Sequence, residues 1–367
     1  MKKGQIDFYY FVIAMSLLAL GLIMVFSSSS ESARIEWGDA YYFAKRQILF
    51  AVCGIIAMYV LSKFDYHRFG KLSFPLLIVA ALLLVAVLLI GQKVKGGQRW
   101  IPIGSFSFQP SEAAKVAIIL FFSHSLSKNT KVLEKFWTGF VLYLLVLGVF
   151  AGLLMKQPHF SGTVVIVLVG LILLFTAGAK TWHLLIIGLI GIAGGAGLIV
   201  SAPYRIKRVI SFLDPFQDKL DSGYQIIQSL YAIGSGGLFG LGLGRSRQKF
   251  LYIPEPHNDF IFAILCEELG LVGALVTIAL FGALIWRGIK IAMNAPDTFG
   301  TLIATGITAL IAIEVIINIA VVTSSMPVTG MPLPFFSYGG TAMLVMMSCV
   351  GIMLNISKQG TSKGAKK

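Results

Sequence analysis

Apolar residues along this chain fall in blocks of about 18–25, separated by short polar stretches or by segments rich in glycine and proline. Coiled as a helix at about 1.5 Å per residue, such a block spans a hydrocarbon core about 30 Å thick. Ten blocks are legible, near 8–28, 47–64, 72–91, 112–127, 138–155, 163–179, 183–202, 259–286, 301–324 and 340–357. Spanning strands would need only about 9–11 residues of alternating polarity, a pattern these blocks lack. The pattern predicts an all-α, polytopic membrane bundle of about ten transmembrane helices. It forms one domain over residues 1–367, with one long extracytoplasmic loop at 203–258 and a basic tail at 358–367. The fourth block is short and carries Lys115. The first block follows Lys2 and Lys3 and precedes four serines at 27–30, in outline like a signal peptide. Its apolar core exceeds the usual 7–15 residues or so, which favours a retained anchor.

Composition supports this reading. Hydrophobic residues make up 57% of the chain and charged residues 13%, where an ordinary soluble domain carries about 25% charged residues. Counting Lys and Arg orients the bundle. With ten spans both termini share a side with the loops at 65–71, 128–137, 180–182 and 287–300, and that side holds fifteen basic residues. The shorter loops opposite hold seven, which puts the termini in the cytoplasm. The 203–258 loop adds seven more basic residues to the disfavoured face, so that face is expected to bind something anionic. The net charge of +14 comes without a basic helix interleaved with aromatics. Nucleic acid is therefore not expected; anionic lipid headgroups or a lipid-linked phosphate are. Cys53, Cys266 and Cys349 all fall inside spans and read as small buried apolar residues. The five histidines are scattered, which gives no support to a histidine-based metal site.

Three outer loops are too particular to be simple connectors. The first, 92–112, ends in Pro110-Ser111-Glu112, a helix start with Ser111 as N-cap. Lys115 follows Glu112 on the same helical face, so a local ion pair and a functional role are both open. The second, 203–258, opens on Tyr204-Arg205-Ile206-Lys207-Arg208 and continues as a short helix near 224–233. It then runs through GSGGLFGLGLG, either a membrane-skimming turn or a set of amides that contact phosphate. It ends in Ile253-Pro254-Glu255-Pro256-His257-Asn258-Asp259, placing Asp259 in the first turn of the eighth span. Capping is one role for this carboxylate; general-base chemistry beside Phe260 and Phe262 is the other. Glu267 and Glu268 follow about 12–14 Å further along the same helix. With Glu314 they suit a polar network inside the bundle, and a polar transport pathway is the alternative. The third loop, MPVTGMPLPFFSYGG at 326–340, carries no charge and must pack into protein or line a cavity. Its Ser337 and Tyr338 hydroxyls suit either a sugar or the loop's own backbone.

Taken in order, QPSE with Lys115, GYQIIQSLYAIGSGGLFGLGLG, IPEPHNDFIFAILCEELG and MPVTGMPLPFFSYGG resemble the SEDS family of shape, elongation, division and sporulation proteins. The resemblance covers nearly the whole chain, and the opening DFYYFVIAMSLLALGLIMVFSSSS looks like the FtsW and SpoVE branch. It implies a peptidoglycan glycosyltransferase of a bacterial plasma membrane that polymerises lipid II beside a class B penicillin-binding protein. The family's catalytic aspartate falls on Asp259, its membrane-edge arginine on Arg46, and its QPSE-x-x-K element on Gln109 to Lys115. One departure is clear: many relatives carry an acidic-Pro-Asp pattern after the fifth span, where this chain has Gln157-Pro158-His159.

The implied reaction asks for one carboxylate to take the acceptor hydroxyl's proton and for positive charge on the departing undecaprenyl pyrophosphate. Arg46, Arg99, Lys115, Arg205 and Arg208 are the candidate cations, with Glu112, Ser337 and Tyr338 completing the expected substrate site. A divalent cation, Mg or Mn, is compatible with that role, although the sequence shows no defined site for one. The main rival reading is a flippase for lipid-linked precursor. It would need midplane sites and repeats, which the sequence does not show.

Overall fold

The computed structural model describes residues 4–94, 97–104, 106–129, 132–133, 136–200, 203–216, 222–250 and 252–360. Every one of the ten apolar blocks is occupied by a helix. These are α1 (Phe8–Trp37), α2 (Tyr42–Lys63), α3 (Arg68–Ile90), α4 (Pro110–Lys128), α5 (Val141–Lys156), α6 (Phe160–Thr176) and α7 (Thr181–Val200), then, beyond the long loop, α10 (Ile261–Met293), α11 (Thr298–Val322) and α12 (Gly340–Gln359). Six of them, α1–α3 and α10–α12, are long and apolar enough to cross a membrane by length and composition. The long loop contributes α8 (Pro203–Leu213) and α9 (Ser222–Gly236).

Local chemistry sets the ends. Asp7 accepts from the Tyr10 N–H at 3.0 Å and starts α1, and Gly38, left-handed at φ 69°, stops it. At α4 the expected N-cap is displaced: Gln109 is the cap, Pro110 the first helical residue, and Ser111 lies inside the helix. Proline has no N–H to leave orphaned, and its fixed φ suits the first helical position. Residues 92–108 also depart from helix, forming β1 (Gln92–Val94), β2 (Gly97–Ile103) and β3 (Phe106–Phe108) in an antiparallel sheet. Cys266 and Cys349 are buried, but Cys53 is exposed on α2. In a bilayer an apolar residue is at home on either face of a helix, so hydrophobicity alone does not mark the core.

Asp7 ties three helices at one end, accepting from Arg287 of α10 through its carboxylate and donating its own N–H to Ser357 Oγ of α12 (2.9 Å). From that level α1 climbs about 30 Å to Ser27, which donates to Glu268, and α12 climbs about 26 Å to Gly340. Both arrive at one edge of a hydrocarbon-thick layer. The residues of α10 before Gly270 therefore run across the top of the bundle. Gly270 breaks the helix at φ 67°, ψ −168°. Glu267 and Glu268 thus stand near the level of Asp259, not 12–14 Å beneath it as a straight helix requires. They do form the expected polar network, with Ser27, Ser246 and the Arg247 and Gln248 amides.

The glycine-rich turn creates this break. Leu241 and Gly242 donate to the Glu267 and Glu268 carbonyls (3.0 Å each), and Leu271 and Val272 donate back to Gly237 and Leu238. The Leu241 and Gly242 amides are therefore committed to backbone and not offered to phosphate.

At the opposite end His67, between α2 and α3, bridges Asp65 (2.7 Å) and Asp297 (2.6 Å), the N-cap of α11. Burial opposes charge on the ring, but the two carboxylates outweigh it and its pKa is raised. A raised imidazole stabilises the fold fully below its ordinary value of 6.5, and that contribution fades as pH climbs through the folded-state value. Exposure limits it to under about 1 kcal/mol. Thermal unfolding of wild type and His67→Ala should differ at pH 6 and converge at pH 9; a gap independent of pH would contradict this reading.

Candidate functional site

The turn before α10 delivers Asp259. Helix α10 begins at Ile261 with Phe260 as its N-cap, so Asp259 precedes the helix in a turn and does not stand in its first turn. Asn318 of α11, itself buried, holds this turn: its amide donates to the Asp259 carbonyl (2.8 Å) and to the Met331 carbonyl (2.7 Å). The Asp259 side chain lies against Gly330, where a Cβ would stand 3.2 Å from Oδ2 and where φ is +68°. Glycine at 330 thus serves both a left-handed backbone and the carboxylate's room.

The loop at 326–340 closes over this turn. Ser337 Oγ accepts from the Leu333 N–H (2.7 Å) and donates to the Asn258 carbonyl (2.8 Å), so of its two candidate roles it fills the one toward backbone. Tyr338 donates its N–H to the His257 carbonyl (2.9 Å), and its ring meets Phe43 and His257. Its hydroxyl is hydrogen-bonded to Arg46, and burial raises its pKa despite that cation. Arg46 also stacks on Tyr42 at 4.5 Å. Gln47, fully buried one residue on, clamps both the Ser337 carbonyl and the Gly339 N–H. The first two turns of α2 are therefore bolted to the Asp259 turn.

Two further cations bond to backbone carbonyls of neighbouring segments. Arg208 of α8 donates to the Val328 carbonyl (3.1 Å), two residues from Gly330. Arg99 of β2 donates to the Gln157 and Pro158 carbonyls. The Arg205 side chain lies outside the described residues. Ser161, at the start of α6, donates to the Thr329 carbonyl, linking this turn to the same loop. His159 is buried in the same turn; burial first, then Arg99 and Lys115, push its pKa down to about 3. Its Nδ1 and the Thr329 hydroxyl are buried without a hydrogen-bond partner.

Lys115 pairs with Glu112 (2.8 Å), as the spacing suggested, and also with Glu314 of α11, which no sequence pattern indicated. All three side chains are buried. A cavity of about 20 Å³ lined by Glu112, Glu314, Leu333, Phe335, Ser337 and Met343 joins this triad to the loop that bonds Asn258. It has room for about one water. Among the described residues no group of three or more His, Cys, Asp or Glu side chains is gathered to hold a metal ion.

Residues 8–362 match the family model for FtsW, RodA and SpoVE, described as cell cycle protein. The chain is 48% identical to stage V sporulation protein E of Bacillus subtilis over 97% of its length and 98% of the relative's. It is 42% identical to a probable peptidoglycan glycosyltransferase FtsW of a Geobacter species, covering 96% of each. Among solved structures it superposes with a TM-score of 0.80 on a chain from a peptidoglycan synthase complex described as coordinating polymerization and crosslinking. There the identity is 28%, with 96% of this chain and 97% of that one covered. With nearly full-length cover on each side, this chain belongs to the FtsW/RodA/SpoVE family, the SEDS proteins its motifs resemble.

Proposed function

We propose that this membrane-embedded peptidoglycan glycosyltransferase polymerises lipid II with Asp259 as its general base. The observation that carries the assignment is convergence: α11 bonds the Asp259 carbonyl, the 326–340 loop bonds the Asn258 carbonyl, and α2 holds that loop in place. Preorganisation of a single carboxylate is what a one-base transfer needs. The acceptor sugar's 4-hydroxyl gives its proton to Asp259 as the oxygen attacks C1 of the donor. The C1–oxygen bond to undecaprenyl pyrophosphate breaks, with inversion and no covalent intermediate. One carboxylate suffices, because the leaving group departs as an anion already. Arg46, bonded to Tyr338, Arg208, bonded to the Val328 carbonyl, and Arg99, bonded to the Gln157 and Pro158 carbonyls, stabilise the departing charge electrostatically in this reading, with Arg205 as a fourth candidate. Lys115 contributes from within its ion pairs.

The expected partner is a class B penicillin-binding protein. The exposed apolar stripe of α10, including Leu271, Val272, Leu275 and Val276, offers a membrane-level surface for its anchor. Both termini are assigned to the cytoplasm, the Asp259 end to the outer face, and the whole chain to one domain. The break in α10 also weighs against a flippase. Transporter helices break near the midplane, whereas Gly270 lies about 26 Å along the helix from Arg287.

The test is strand synthesis from purified lipid II by this protein with its verified class B partner, beside a lipid II transbilayer assay in vesicles. Glycan strands without transbilayer movement are expected. Transbilayer movement without strands would establish the rival.

A further inference from the structure

A row of aromatic rings leads outward from the Asp259 turn. His257, two residues before Asp259, packs on Phe43 with ring centroids 4.3 Å apart, and Tyr338 meets both rings. Phe43 meets Tyr42 edge-on at 5.3 Å, and Tyr42 lies flat on Trp37 at 4.3 Å with 6° between the planes. Arg46, bonded to Tyr338, lies over the Tyr42 ring and ties the middle of the row to the site. Tyr41 forms a second stack, on Phe26, with centroids 5.1 Å apart. The row is closed at one end and open at the other: His257 is buried, whereas Trp37 is 56% exposed and Tyr41 55%.

Depth decides what the exposed tryptophan is for. Interfacial tryptophans anchor a span at the headgroups, a layer that adds only about 5–8 Å to each side of the hydrocarbon. Ser27 lies at the edge of that hydrocarbon, and Trp37 ends α1 about 15 Å further along the helix. Trp37 therefore stands past the headgroups, in water. Flat rings held open to water by their neighbours suit a flat ligand with one apolar side and a polar rim. A pyranose is such a ligand: its C–H face stacks on the negative face of an aromatic ring. Its rim hydroxyls stay wet or meet the Asp39–Lys45 pair beside Tyr41 (2.7 Å).

We propose that Trp37, Tyr41 and Tyr42 form a platform for the growing glycan, binding the amino sugars already joined to the donor. This rests on the glycosyltransferase reading and extends it. Each transfer moves the donor C1 from pyrophosphate to the acceptor oxygen, so the chain behind the donor lengthens at every turnover. Those sugars need a track that starts at the reacting centre and runs away from the membrane. The aromatic row starts two residues from Asp259 and ends in water. It touches no reacting atom. It keeps the strand bound between transfers, so its effect falls on strand length and not on the rate of a single transfer.

The test compares strand-length distribution and initial lipid II consumption for the full-length protein with its class B partner. Trp37→Leu keeps an apolar side chain and removes the flat ring. It is expected to shorten the mean strand about threefold to tenfold, the factor that one lost aromatic contact is worth. Initial consumption should stay within about twofold of wild type, since no transition-state contact is lost. Tyr41→Leu should shorten strands in the same way, and Trp37→Tyr, which keeps a ring, should restore most of the length. Strands of wild-type length from both leucine variants would overturn the inference. So would length and initial rate falling together, or Trp37→Tyr behaving as Trp37→Leu does. Loss of the class B partner on purification of Trp37→Leu would assign the rings to a protein contact and overturn it as well. A wild type that makes no strands overturns the glycosyltransferase reading and this inference with it. A wild type that makes strands, matched in length by both leucine variants, overturns this inference only.

Discussion

Asp259→Asn should lower strand synthesis by about 10²–10⁴-fold, the range that general acid–base catalysis supplies, in protein that still folds and reaches the membrane. Asparagine keeps the volume of aspartate, and the contacts that hold this turn run through backbone atoms: the Asp259 carbonyl to Asn318, the Asn258 carbonyl to Ser337 and the His257 carbonyl to Tyr338. None of them needs the carboxylate. Asp259→Glu should not rescue, because its extra methylene has to be fitted where the Asp259 side chain already lies against Gly330. Near-normal synthesis by a membrane-inserted Asp259→Asn protein would remove this residue from the mechanism.

The spans were legible because a bilayer imposes one length on every helix that crosses it, so a count of apolar residues is nearly a count of helices. Asp259 was legible because a charged residue beside Phe260 and Ile261, after a proline-rich turn, stands out in such a chain. Its relation to the helix was not, because the polar group and the helix start differ by only two residues. The Lys115–Glu314 pair joins residues 199 apart, and nothing in the local pattern of α11 marks Glu314 as the partner. Cys53 illustrates the opposite limit. Lipid and protein interior are equally apolar, and hydrophobicity does not tell one from the other. His159 stood out only as a departure from a motif, and its burial beside two cations is a tertiary fact.

The break in α10 is hidden for a related reason and carries the second large expected effect. Residues 260–286 read as one apolar run, and the cause of the break lies some thirty residues earlier, in the backbone bonds from 237–242. Gly270→Ala should destabilise the protein strongly. The φ 67°, ψ −168° conformation is essentially reserved for glycine and costs about 1–3 kcal/mol with any other residue. An added Cβ would also overlap the Gly240 nitrogen and the Leu238 carbonyl. These are backbone atoms that no rotamer change can move aside. If the variant survives, its α10 can relieve the overlap only by straightening, which lifts residues 261–269 off the top of the bundle and withdraws Asp259 from Asn318 and Gly330. Strand synthesis should then fall along with unfolding temperature, and lipid II binding through the arginines should outlast catalysis. A stable, fully active Gly270→Ala protein would mean that Asp259 reaches its place without the break.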